Sequence, residues 1–130
     1  MKKFKTAVLV RDNMIKFMED RGVKVSYRTL GDDEYITELK SKVVEEANEL
    51  AKENKREELV FEIADVLEVL DGLKTALNIT DDEVLTAKKD KAKRRGGFEK
   101  RLYTDFIEVE ENSDEVNYYE SQPEKYPLID

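Results

Sequence analysis

Between residues 11 and 95, apolar residues recur every third or fourth position in four segments, the period of helices with one buried face. Met14, Ile15, Phe17 and Met18 predict a short first helix over about residues 11–20, closed by Gly22. Val23, Val25 and Tyr27 then alternate, which predicts a short extended arm. Asp32 or Asp33 is placed to cap a long helix reaching about residue 54, with Ile36, Leu39, Val43, Ala47 and Leu50 on one stripe. A third helix over about residues 56–76, ending near Asn78, directs Leu59, Ile63, Val66, Leu67, Leu70 and Leu77 inward. The link before it is short, so the two long helices must fold back as an antiparallel hairpin.

Thr80 followed by Asp81, Asp82 and Glu83 is an N-terminal helix signature, and the acids also suit the helix dipole. The fourth helix it opens runs to Arg95, where Gly96 and Gly97 stop it. Residues 98–111 have strand-like side chains in their middle, and residues 112–130 contain both prolines and read as a tail. Tyr118, Tyr119 and Tyr126 give that tail a means of docking on the body or on a partner. The expected fold class is all-α, with short extended segments. Its hairpin stripes carry more apolar surface than the short first and fourth helices cover, so hairpins are expected to pair across an oligomer interface into a four-helix bundle. Residues 1–104 form the expected domain and residues 105–130 an acidic extension.

Composition removes several kinds of chemistry. The 130 residues include no His and no Cys, which excludes a Ser-His-Asp triad, a thiol nucleophile, a disulfide frame and a zinc site of the usual nitrogen or sulfur type. Any metal must sit on oxygen. No run reaches the roughly 18 apolar residues of a membrane span, and TAVLV near the start is too short for a signal peptide, so a cytoplasmic protein is expected. The net charge of -8 is unevenly spread: residues 105–130 hold nine acids and only Lys125 as a base, while residues 88–101 hold eight bases and two acids. One basic patch on an otherwise neutral or acidic chain suits a small phosphorylated ligand better than duplex nucleic acid.

Two carboxylate pairs carry the candidate chemistry. Glu46 and Glu49 are three residues apart on the second helix, as are Glu62 and Asp65 on the third, which puts each pair on the flank of its apolar stripe. An antiparallel hairpin can bring both pairs together. Four such carboxylates repel unless a divalent cation neutralises them, and an all-oxygen set points to Mg²⁺ or Mn²⁺. Each pair taken alone is ordinary on a solvated helix face. Two pairs on adjacent helices, with Asp65 set between Ala64 and Val66, are not. Glu45 points away from the stripe and is read as facing solvent or standing behind the ligand carboxylates.

In KKDKAKRRGGFEKR, Lys88, Lys91 and Arg95 project from the fourth helix towards phosphates, and Gly96 and Gly97 let backbone approach the ligand closely. Cations at a helix end are also favoured by the dipole alone. No aromatic residue interleaves the basic run, so it gives weak support to strand binding.

These residues resemble the all-α NTP pyrophosphohydrolase superfamily, the MazG-like group that includes phosphoribosyl-ATP pyrophosphohydrolase. The matching pattern is Glu45, Glu46 and Glu49, a twelve-residue gap, then Glu62 and Asp65. LVRDN near the start, YRTLGDDEYITELKSKVVEEANEL in the middle and KRRGGFEKRLY later resemble the phosphoribosyl-ATP pyrophosphohydrolase-like branch, over about residues 7–104. The resemblance implies hydrolysis of a nucleoside triphosphate between the α and β phosphates, giving a monophosphate and pyrophosphate. It implies Glu46, Glu49, Glu62 and Asp65 as Mg²⁺ ligands, and homodimers or homotetramers of paired hairpins. Many relatives have an Asn four residues after the lysine of the last helix. Here that position is Ala92, which separates this chain from them at a base or sugar contact.

In the expected mechanism, metal held by the four carboxylates activates a water for in-line attack on the α phosphorus. Glu46 or Glu49 serves as general base, and the basic segment offsets charge on the leaving pyrophosphate. Clearance of modified or surplus nucleotides is the leading role. The rival within the class is the phosphoribosyl-ATP step of histidine biosynthesis, and the rival outside it is a non-catalytic helical assembly module.

Overall fold

The computed structural model describes residues 1–130. It is all-α, with α1 Met14–Glu19, α2 Asp32–Lys52, α3 Arg56–Ala76, α4 Asp81–Arg95 and α5 Asp114–Glu120. No helix is long and apolar enough to cross a membrane. The chain divides into two compact units, residues 1–91 and residues 92–130.

In the first unit α2 and α3 pack as the hairpin expected from the short link. The link is closed locally: the Glu53 carboxylate accepts the backbone N–H groups of Asn54 at 2.9 Å and Lys55 at 3.0 Å. These hydrogen bonds hold the Glu53 carboxyl below its ordinary range. Leu39 on α2 is the one buried residue, 5% exposed, and it faces Gly72 of α3. A Cβ at Gly72 would meet Leu39 Cδ2 at 3.4 Å, an ordinary van der Waals contact, so this packing does not depend on the residue being glycine.

The apolar residues of α3 do not all turn inward. Leu59, Val66, Val69 and Leu73 are half-buried, whereas Val60, Ile63, Leu67 and Leu70 are exposed, as is Leu77 just after the helix. At about 100° per residue, Val66 and Leu67 cannot both meet one neighbouring helix. A helix apolar on two sides has only one of them covered by α2, and the other remains open in the single chain.

Helix ends follow local chemistry. Asn78 adopts a positive φ of 56° after α3, and Ile79 N–H returns to Lys74 O at 2.9 Å, the left-handed closure that ends many helices. Thr80 and Glu83 then form the reciprocal capping box: Thr80 N–H donates to Glu83 Oε2 at 2.8 Å and Glu83 N–H to Thr80 Oγ1 at 3.1 Å. Lys74 bridges Asp71 at 2.9 Å and Asp81 at 2.8 Å, tying the end of α3 to the start of α4.

Three local expectations are corrected. Gly31, not Asp32 or Asp33, occupies the cap position of α2, and those acids lie in its first turn, where they meet the helix dipole instead. The arm at residues 23–29 forms no strand; it ends at Arg28, whose guanidinium grips Glu34 at 2.6 and 2.7 Å. Residues 98–111 form no strand either. A lone alternating segment has no ladder partner for its backbone groups.

In the second unit, residues 114–126 are ordered around tyrosines rather than trailing as a tail. Tyr118 and Tyr119 rings meet edge to face at 5.1 Å, Tyr119 and Tyr126 at 5.0 Å, and Lys125 Nζ lies 5.2 Å from the Tyr126 ring.

Candidate metal centre

The hairpin brings together three of the four predicted carboxylates. One oxygen from each of Glu46, Glu62 and Asp65 lies within 4.8 Å of the others. The spacing follows from the register: Glu46 takes the same stripe as Leu39, Val43 and Leu50, facing the side of α3 that offers Glu62, Asp65 and Val66. Its side chain is only 14% exposed.

Glu49 is exposed and lies outside this group, on the outer edge of α2. It is near enough for its charge to act on both Glu46 and Glu62. Glu45 is outside the three-carboxylate group and pairs at 3.1 Å with Lys42, the lysine that also stands 3.7 Å from Glu46.

Electrostatics mark the cluster as strained. The Glu46 carboxyl is pushed up from the ordinary value of 4.5, first by loss of hydration, then by Asp65, Glu45 and Glu49, against the opposing pull of Lys42. Loss of hydration and the charges of Asp65, Glu49, Glu46 and Glu53 push the Glu62 carboxyl up as well. The donor set is hard oxygen only and half-exposed. Three carboxylate oxygens so placed could hold a hard divalent cation, which keeps part of its water shell.

Two cations that were not singled out from the sequence sit at the cluster. Lys42 Nζ lies 3.7 Å from Glu46 Oε1, a partnership that the four-residue spacing makes readable. Arg11 Nη2 donates to Asp65 Oδ1 at 2.8 Å, across 54 positions of sequence, where no local pattern could have found it. Arg11 belongs to the LVRDN segment just before α1. That segment, α1, α2 and α3 line a cleft of about 480 Å³ that opens on Glu46 and Asp65. Leu9, Phe17, Tyr35 and Val69 supply apolar wall, and Arg11, Asn13 and Lys42 supply donors. Apolar walls with a few convergent polar groups are the usual make-up of a small-molecule site.

The basic segment is exposed throughout. Lys88 lies on a shallow groove with Asp71, Lys74, Asp82 and Leu85. Lys91 is exposed on the same helix, and Arg95 is the last residue of α4. Of the two glycines that follow, Gly96 is the one that requires its residue type, with a φ of +80°. Gly97 has no positive φ, and a Cβ there would meet only the carboxylate of Glu99, the movable end of a flexible side chain. No family model matches this chain, and no curated protein or solved structure matches it either.

Proposed function

We propose that this chain is a divalent-cation-dependent nucleotide pyrophosphohydrolase of the all-α NTP pyrophosphohydrolase kind, splitting a nucleoside triphosphate into a monophosphate and pyrophosphate. The observation that carries this reading is the convergence of Glu46, Glu62 and Asp65 from two antiparallel helices, with Glu46 and Glu62 held above their ordinary carboxylate range. Carboxylates placed so close are stabilised by a cation, and a hard dication on oxygen ligands is the usual partner of a polyphosphate.

Glu46, Glu62 and Asp65 would hold Mg²⁺ or Mn²⁺, with Glu49 joining from the edge of α2. Such an ion, when bound, polarises phosphate oxygens and lowers the pKa of a coordinated water. Glu49, exposed beside the cluster, is the better placed of the two candidate bases, because Glu46 already faces the packed interior. Lys88 and Lys91 of α4 enter this reading as phosphate ligands on the strength of the sequence resemblance, and so does Arg95 in the second unit. The cleft beside Arg11 and Tyr35 offers room and apolar wall for the nucleoside part of the substrate. Phosphoribosyl-ATP remains within the substrate class.

The uncovered stripe Val60, Ile63, Leu67, Leu70 and Leu77 favours assembly. From Val60 to Leu70 its three- and four-residue spacing is that of helices that pack along their length, so a homodimer or homotetramer with hairpins paired into a four-helix bundle is part of the proposal. A purely structural assembly module would use the same stripe but would leave the acid cluster without a role.

The deciding experiment is a panel of nucleotides with Mg²⁺, scoring pyrophosphate against orthophosphate release, for the native chain and for Glu49→Gln and Asp65→Asn. Pyrophosphate release by the native chain, lost in both variants, is the expected result. No release from any nucleotide, or full activity in both variants, would refute the assignment.

A further inference from the structure

Arg11, from outside the hairpin, is bonded to the acid cluster, and its partner is one of the three converging carboxylates. It uses one donor of its guanidinium on Asp65, its side chain is 58% exposed, and it stands in a segment with no regular secondary structure. The same side chain lines the cleft that opens on Glu46 and Asp65. A guanidinium on Asp65 Oδ1 and a dication on the same carboxylate repel each other, which weakens the Arg11 contact once the cation is bound. A guanidinium released there has a planar fork suited to phosphate.

We propose that Arg11 is an exchangeable counter-ion: it holds Asp65 while the cation site is empty, and turns to a phosphate of a nucleotide in the cleft once a divalent cation takes that carboxylate. The inference rests on the cation-site reading above and adds an order to it, cation first and nucleotide second. Arg11 is thereby a ligand-binding residue as well as a structural one. Lys42 does not share the role, since its contact with Glu45 at 3.1 Å keeps it on its own helix.

The test uses the full chain and Mn²⁺ alone, with free Mn²⁺ followed by electron paramagnetic resonance. Arg11→Met should bind Mn²⁺ up to about 5-fold more tightly than the native chain, the upper end for removal of one competing exposed ion pair. Arg21→Met, which removes the same charge from a guanidinium lying 3.5 Å over the Phe17 ring, should bind Mn²⁺ as the native chain does. With Mn²⁺ saturating, Arg11→Met should bind the non-hydrolysable α,β-methylene ATP about 10-fold more weakly, as expected for a lost charged hydrogen bond. In the unmutated chain, the Arg11 Nε–H resonance should shift as Mg²⁺ is added, which serves if the variant fails to fold.

Equal Mn²⁺ affinity in Arg11→Met and the native chain, undiminished binding of the analogue, or an Arg11 resonance that ignores Mg²⁺ would each overturn the exchange while leaving the cation site standing. Failure of every chain to bind Mn²⁺ would overturn the cation site and the exchange together.

Discussion

Glu46→Gln should make the cation-free protein more stable at neutral pH and the Mg²⁺-loaded protein less stable than the native chain. The carboxylate oxygens of Glu46, Glu62 and Asp65 lie within 4.8 Å of one another. At that separation one like-charge pair costs about 1 kcal/mol in a water-like medium and about 3 kcal/mol at the effective dielectric typical of proteins. Lys42, 3.7 Å from Glu46, returns part of this, and Arg11 meets part of the charge on Asp65. A net relief of about 1 kcal/mol is the reasonable expectation, or about 3 to 5 °C in Tm for a chain of this length. The substitution leaves no cation stranded, because Lys42 keeps Glu45.

The sign depends on pH in a definite way. Glu46 has a raised folded-state pKa, so the folded chain binds its proton more readily than the unfolded chain does. Its destabilising effect is therefore absent below the ordinary value of 4.5 and grows as pH rises through the folded-state pKa. The advantage of the variant should be present at pH 7 and vanish at pH 4. With Mg²⁺ the order should reverse, since a ligand at 100 times its Kd adds about 2.7 kcal/mol to the native chain and much less to a site lacking one carboxylate. Thermal melts at two pH values, each with and without Mg²⁺, read all four quantities. A variant that melts at or below the native temperature at pH 7 without cation, and gains as much from Mg²⁺, would refute the reasoning.

Lys91→Ala and Arg95→Ala should raise KM at nearly constant kcat if these cations hold phosphate throughout the reaction, or lower kcat by about 10²- to 10³-fold if they act on the departing pyrophosphate; steady-state kinetics separate the two, and unchanged constants would leave only helix-end stabilisation. Gly96→Ala should lower stability by about 1 kcal/mol because of the +80° φ, while Gly97→Ala should be nearly neutral, as judged by paired thermal melts. Leu67→Glu places a charge on the uncovered stripe of α3 and should shift the assembly to the 15.2 kDa monomer in light scattering; a native chain that is already monomeric at micromolar concentration would remove the proposed bundle.

Local patterns in the sequence specified the helices and most of their ends. Thr80 and Glu83 stand three residues apart and close on each other without help from the rest of the fold, and Asn78 can take a left-handed conformation because its short polar side chain tolerates it. The short link at residues 53–55 leaves two long amphipathic helices no arrangement but a hairpin. Much of the acid cluster was readable for the same reason: Glu62 and Asp65 are bound by helical spacing, and Glu46 continues the 39, 43, 50 stripe.

Tertiary structure decided what depends on the meeting of distant surfaces. Periodicity shows that α3 is apolar, but only docking on α2 selects Val66 over Leu67 for the inside. The same docking draws Glu46 towards Glu62 and Asp65 and leaves Glu49 at the edge, a distinction of one helical turn that spacing alone treats as equal. Arg11 reaches Asp65 across 54 residues because the LVRDN segment lies along the hairpin. Backbone hydrogen bonds and caps are satisfied within a few residues and so are written in short stretches of sequence, whereas a long-range ion pair exists only after the chain has closed the loop between its partners.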